Sequence, residues 1–131
     1  MRPAVSKYVL DASALLALLQ REPGHLQVAK RLGDTAISTV NLCEVASKLM
    51  ERGLPRESVG PGLLALDLDI VPFDEALAFR AAELRSSTRR FGLSLADRAC
   101  LATAEAFQAT ALTTDRSWSR LKLNAGIEIV R

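Results

Sequence analysis

The sequence predicts an α/β fold: three layers, α/β/α, around a central parallel sheet of four to five strands. Three observations lead there. Short apolar runs rich in β-forming side chains alternate with segments whose apolar residues recur every three or four positions. The first and fourth of these runs each end at an acid just where the next helical pattern opens. The 131 residues, 49% hydrophobic and 24% charged, contain no repeat or low-complexity stretch, which suits one domain over 1–131 with a substantial core.

The first run, Tyr8-Val9-Leu10, reads as a parallel strand covered on both faces. Ala14, Leu15, Leu18 and Leu19 then recur at helical spacing, so the chain turns at Asp11, and Asp11 or Ser13 can accept bonds from the first amides. Glu22-Pro23-Gly24-His25 breaks that helix. Leu26, Val28, Ala29 and Leu32 make a short second one, ended by Gly33-Asp34. Thr35 to Thr39 reads as the second strand and Val40 to Ala46 as the opening of a third helix. Within that helix Glu44 has two structural explanations, a capping box with Asn41 and an ion pair with Lys48 one turn on. Gly53 closes the helix and Pro55 opens a fourth, which Gly60-Pro61-Gly62 is expected to kink or delay.

The third strand centres on Ile70 and Val71. Asp74-Glu75 opens the helix carrying Ala78, Ala82 and Leu84, and helix-dipole complementarity accounts for both acids. Ser86 to Phe91 is polar and basic, and Gly92 closes it. Ser94 and Asp97 have the outline of a capping box. Asp97 also shares a helix face with Leu93, Cys100, Leu101 and Ala104, away from Arg98 and Glu105, and an isolated carboxylate on such a face needs a cation. Ala109 to Thr113 forms a strand leading to Asp115, which is placed to cap a short helix at Trp118 and Leu121. Ile127 to Val130 is a last, alternating strand at the sheet edge.

In a parallel sheet all strand carboxyl ends share one edge, so Asp11, Asp115 and Glu44 point to one crevice, which Asp97 joins if its helix runs back from that edge. Carboxylates ~4 Å apart repel by about 4 kcal/mol at an effective dielectric near 20. Mg²⁺ or Mn²⁺ relieves that crowding with oxygen ligands, activates water, and neutralises charge on a phosphodiester under attack. No histidine or cysteine joins the cluster, which argues against zinc. His25, the one histidine, reads as a helix-start residue.

Net charge is +2, without a Lys/Arg tract that announces nucleic acid. Cys43 and Cys100 read as reduced core thiols, and the cytoplasm is the default compartment. No apolar run is long enough to span a membrane.

Val9-Leu10-Asp11-Ala12-Ser13-Ala14, Asn41-Leu42-Cys43-Glu44-Val45, Leu93-Ser94-Leu95-Ala96-Asp97-Arg98-Ala99 and Leu112-Thr113-Thr114-Asp115, in this order and spacing, resemble a PIN-domain ribonuclease of the VapC type, the toxin of a bacterial toxin-antitoxin pair. The resemblance covers essentially the whole chain. It implies a PIN-like fold and a Mg²⁺- or Mn²⁺-dependent endoribonuclease leaving 5′-phosphate and 3′-hydroxyl ends. By it, Asp11, Glu44, Asp97 and Asp115 form the catalytic, metal-holding cluster, with the Ser13 and Thr113 hydroxyls accessory. A homodimer, and a cognate antitoxin that covers the toxin, are the implied partners. Arg89, Arg90, Arg116, Arg120 and Lys122 are then expected to draw the RNA backbone past the pocket.

Two other classes compete. A receiver-like signalling module shares the acidic pocket but needs a phosphoacceptor Asp ending its third strand, where this chain has Val71-Pro72-Phe73. A PIN scaffold that binds RNA or protein without cutting is the other, and the full set of acids counts against it. A phosphatase with a nucleophilic Asp needs a second Asp two places after Asp11, where Ser13 stands.

Overall fold

The computed structural model describes residues 6–131. Five strands, β1 (Tyr8–Leu10), β2 (Thr35–Ser38), β3 (Asp69–Val71), β4 (Thr110–Thr113) and β5 (Gly126–Ile129), form one sheet in the order β3-β2-β1-β4-β5. Every pairing is parallel, with Leu10 opposite both Ile37 and Leu112. Six helices connect them: α1 (Ala12–Gln20), α2 (His25–Arg31), α3 (Thr39–Glu51), α4 (Arg56–Leu64), α5 (Glu75–Thr88) and α6 (Leu95–Phe107). The order differs from the 2-1-3-4-5 order of receiver-like domains. Here β3 is an edge strand, and the strand end that a phosphoacceptor requires lies away from the sheet centre, which removes the receiver-like reading.

The sheet separates two cores, and the strands read as continuous apolar runs because successive residues enter opposite ones. Val9, Ala36 and Ala111 face Leu77, Leu84, Leu101 and Trp118, on the side of α5 and α6. Leu10, Ile37 and Leu112 face Leu15, Val28, Val45 and Leu63, on the side of α1 to α4. Arg31 of α2 fastens that side to the sheet, with its guanidinium 2.7 Å from Glu128 of β5 and 5.5 Å from the centre of the Tyr8 ring.

Caps fix where each helix starts. Ser38, not Asn41, caps α3 by accepting from the Val40 amide, so the strand ends one residue earlier than expected. Asn41 is then inside the helix, on its buried face with Val45 and Leu49. Cys43 falls off that face and is exposed, contrary to its reading as a core thiol. Cys100 is buried as expected, and both thiols are free. Asp74 caps α5 through the Leu77 amide. The α4 helix runs unbroken through Pro61, because Gly60 before it has no Cβ to clash with the proline ring. β5 sits at the sheet edge and alternates as expected: Ile127 and Ile129 pack toward the α5–α6 core, while Glu128 between them meets Arg31 on the other face. Among the described residues no helix is long and apolar enough to cross a membrane.

Candidate active site

The strand order reverses at β1 and β4, so the crevice beyond their carboxyl ends is where an open α/β sheet offers a site. Asp11 stands at the end of β1, held in the ladder by its amide bond to the Leu112 carbonyl at 3.0 Å. It caps α1 and is only 4% exposed. Its Oδ1 accepts from the Ala14 amide at 2.8 Å and the Ser13 hydroxyl at 2.7 Å. Its Oδ2 accepts from the Thr113 hydroxyl at 2.5 Å. The hydroxyls are in turn held by β4 and the turn after it: the Thr114 amide donates to Ser13 and the Asp115 amide to Thr113, each at 3.0 Å.

Burial lifts the Asp11 carboxyl from its ordinary 3.8 to about 6. The three hydrogen bonds oppose that rise, and the negative charge of Asp97 adds to it. The Cys100 thiol, fully buried on α6, is raised well above its ordinary value by burial first and then by the charges of Asp11 and Asp97. Cys100 packs in the same core as Val9 of β1, which sets the first turns of α6 against that strand.

Asp97 is less buried than its apolar helix face predicts. It forms the capping box of α6, its Oδ2 accepting from the Ser94 amide at 2.9 Å while its own amide donates to the Ser94 hydroxyl at 3.1 Å. Its other oxygen accepts no hydrogen bond among the described residues. Arg98, expected on the polar face with Glu105, is instead 7% exposed and donates to the Ala81 carbonyl of α5 at 2.9 Å. Glu105 is held by Arg80, whose guanidinium spans both its oxygens at 2.8 and 3.1 Å.

Glu44 and Asp115 each engage partners of their own. The Glu44 carboxylate is 3.6 Å from Lys48 on an open face of α3, the ion-pair alternative read from the sequence. Asp115 is exposed and caps the 3₁₀ turn Arg116–Arg120, its Oδ1 accepting from the Ser117 amide and hydroxyl at 2.9 and 2.7 Å. Among the described residues no three His, Cys, Asp or Glu side chains are gathered closely enough to hold one ion together. Arg89 and Arg90 lie in a 3₁₀ turn just before α6, while Arg116, Arg120 and Lys122 follow Asp115. All five are exposed, and none forms an ion pair among the described residues. Sequence reasoning gave no site role to Ser117, whose signal is a serine two places after a turn-capping Asp, or to Asn41.

The donor chemistry fits a hard divalent cation: carboxylate and hydroxyl oxygens only, with the deepest carboxylate disfavoured as a lone anion. Two carboxylates suffice for Mg²⁺, which keeps several waters and commonly takes one or two acids plus substrate phosphate. Thr113→Val tests the local electrostatics without any ligand. Losing the 2.5 Å donor is expected to raise the Asp11 pKa further above 6 and to cost roughly 1–2 kcal/mol. Carboxyl-carbon NMR titration and thermal melting measure the two effects.

The model of the PIN domain family matches residues 8–123. No curated protein matches the sequence. Among solved structures, the chain is similar to DNA-bound VapBC from Salmonella typhimurium, at 20% identity over 97% of this chain and 100% of that one, with a TM-score of 0.76. It is also similar to VapBC2 from Rickettsia felis bound to a promoter fragment, at 22% identity over 92% and 96%, TM-score 0.70. A third is VapBC-5 from Mycobacterium tuberculosis, of the VapBC family of toxin-antitoxin systems, at 24% identity over 98% and 99%, TM-score 0.60. At these identities the likeness is one of fold. The family match extends over most of the sequence, and the chain belongs to the PIN domain family.

Proposed function

We propose that the chain is a Mg²⁺- or Mn²⁺-dependent endoribonuclease, the toxin of a toxin-antitoxin pair. One observation carries the reading: a carboxylate buried at the strand-order reversal, held by three hydrogen-bond donors and still raised by its burial to about 6, with the charge of Asp97 adding to the rise. A divalent ion bound there supplies an activated water and neutralises charge building on the phosphodiester. Asp11, fixed by three donors, and Asp97, with an open oxygen, hold the ion. Glu44 swings from Lys48 to orient the ion or the attacking water, and Asp115 supports the outer shell. Ser13 and Thr113 keep the Asp11 oxygens from rotating. Arg89, Arg90, Arg116, Arg120 and Lys122, exposed and without an ion pair among the described residues, draw the phosphate backbone in.

An antitoxin is the proposed protein partner. Its support is an apolar groove of about 440 Å³ between α1, α3 and α4, lined by Leu19, Leu49, Leu54, Val59 and Leu63. Leu19 and Leu54 are 37% and 48% exposed there, and exposed apolar patches of this kind mark protein contacts. A homodimer in the cytoplasm, where RNA is available and both thiols stay free, completes the reading.

Cleavage of structured RNA with Mn²⁺ is the test. Thorough chelation with EDTA, or Asp97→Asn, is expected to lower the rate about 10³-fold. Cutting that survives either treatment overturns the mechanism. The Glu44–Lys48 pair and the absence of a three-acid cluster among the described residues favour one competing reading, a PIN scaffold that binds without cutting. Calorimetric titration with Mn²⁺ separates them, since only the nuclease binds the ion at micromolar to millimolar concentrations.

A further inference from the structure

We propose that Asn41 is a positioning residue that sets the spacing between the Asp97 and Glu44 carboxylates by tying the first turn of α6 to α3. The proposal rests on the metal-site reading above.

Asn41 is 1% exposed. Its Nδ2 donates to the Ala96 carbonyl at 3.0 Å, across 55 positions of sequence. Ala96 immediately precedes Asp97, and Glu44 lies three residues on from Asn41, where the buried face of α3 gives way to the open one. This is the only side-chain hydrogen bond between α3 and α6 among the described residues, and it joins them at the level of the two acids. Asp97's other neighbour, Arg98, is anchored to the Ala81 carbonyl of α5. The acid is thus fixed on both flanks, by one contact from each adjacent helix.

The remaining amide oxygen, Asn41 Oδ1, is buried with no partner among the described residues. Turning the amide over does not help, because it sets Oδ1 against the Ala96 oxygen and leaves Nδ2 unpaired. Leucine matches asparagine in side-chain heavy atoms, though it is bulkier, and leaves no orphaned polar atom, so hydrogen-bond satisfaction alone favours an apolar side chain at this position. A polar side chain kept there at a cost to stability is the signature of a site whose geometry is maintained against the fold's own preference.

The test compares the parent, Asn41→Leu and Asn41→Asp. The first variant removes both polar atoms. The second keeps the shape but replaces the donor with an acceptor facing the Ala96 carbonyl, and serves wherever leucine overpacks. Thermal melting in EDTA, Mn²⁺ affinity by electron paramagnetic resonance, and kcat and KM for RNA cleavage are measured on each. Asn41→Leu is expected to melt at or above the parent in EDTA. Its Mn²⁺ affinity and its kcat at saturating Mn²⁺ are each expected to fall about 10- to 100-fold, with KM for RNA within about two-fold. Asn41→Asp is expected to lose the same affinity while melting lower. Parent-like Mn²⁺ affinity and kcat in both variants, or a loss of kcat that merely follows the unfolded fraction, overturns the role of Asn41. A parent that binds no Mn²⁺ and cuts no RNA overturns the metal-site reading itself, and the positioning role with it.

Discussion

Asp11→Asn is expected to melt above the parent protein in EDTA at pH 7.5 while cleaving RNA about 10³-fold more slowly. The folded carboxyl titrates near 6, against 3.8 for the free group. Between these values the native state holds more protons than the unfolded chain, so raising the pH weakens the fold across that window. Above it the whole penalty of the buried anion is present, about 3 kcal/mol from a shift of this size. The amide removes the charge at equal volume and still accepts from the Ala14 amide. It replaces the short Thr113 bond with a weaker one, which returns part of the gain. A net 1–2 kcal/mol, a rise of roughly 3–8 °C, remains. The advantage should shrink as the pH falls from 7 to 4, because the parent carboxyl then takes up its own proton. Melting curves across that range check it, and a difference constant with pH removes Asp11 as the titrating group. Added Mn²⁺ reverses the order: at a hundred times the dissociation constant it stabilises the parent by about 2.7 kcal/mol and leaves the variant where it was.

Such a residue explains why part of the site was legible in the sequence. Asp11, Ser13, Thr113 and Asp115 lie on strand ends and the turns after them, and in a parallel sheet the chain direction alone brings those ends to one edge. Their mutual hydrogen bonds follow from that placement. The helix-borne acids depend on rotation about the helix axis and on partners distant in the chain. Arg98 is buried because a carbonyl of α5 receives its guanidinium, and no local pattern encodes that contact. Asn41 reads locally as a cap, yet Ser38, the last residue of β2, takes that role and sends Asn41 inward. Cys43 is exposed for the same reason: the buried face of α3 runs through Asn41, Val45 and Leu49. Strands and helices were readable because burial on both faces leaves an unbroken apolar run, while amphipathic helices leave a period. Pro61 misled because a proline in a helix is costly in general, whereas beside a glycine on an exposed stretch the helix accommodates it.

Gly24→Ala is expected to be the most destabilising single-methyl change in the chain, and the reason connects α2 to the last strand. Gly24 precedes α2 with φ at +98°, a conformation that any side chain adopts under strain. A Cβ there runs into the Val130 carbonyl oxygen and comes within 2.6 Å of its carbon. Both are backbone atoms, so no rotamer change relieves the overlap. Val130 is itself fixed, since its amide donates to the Thr113 carbonyl at 2.8 Å and its side chain is 1% exposed. Either α2 withdraws from the sheet or the end of β5 moves, and the second path pulls on the strand that carries Thr113 beside Asp11. The strain and overlap together should cost about 3–5 kcal/mol, lowering the melting temperature by about 10 °C or more. By contrast, Gly126→Ala meets only the Thr110 hydroxyl at 2.8 Å, a side chain able to rotate, and should cost well under half as much. Thermal melts of the two variants side by side make the comparison. Equal losses mean that α2 and β5 are not braced against each other as the Gly24 contact requires, whereas a large loss at Gly24 accompanied by a shifted Asp11 titration shows that the strain reaches the acidic crevice through Thr113.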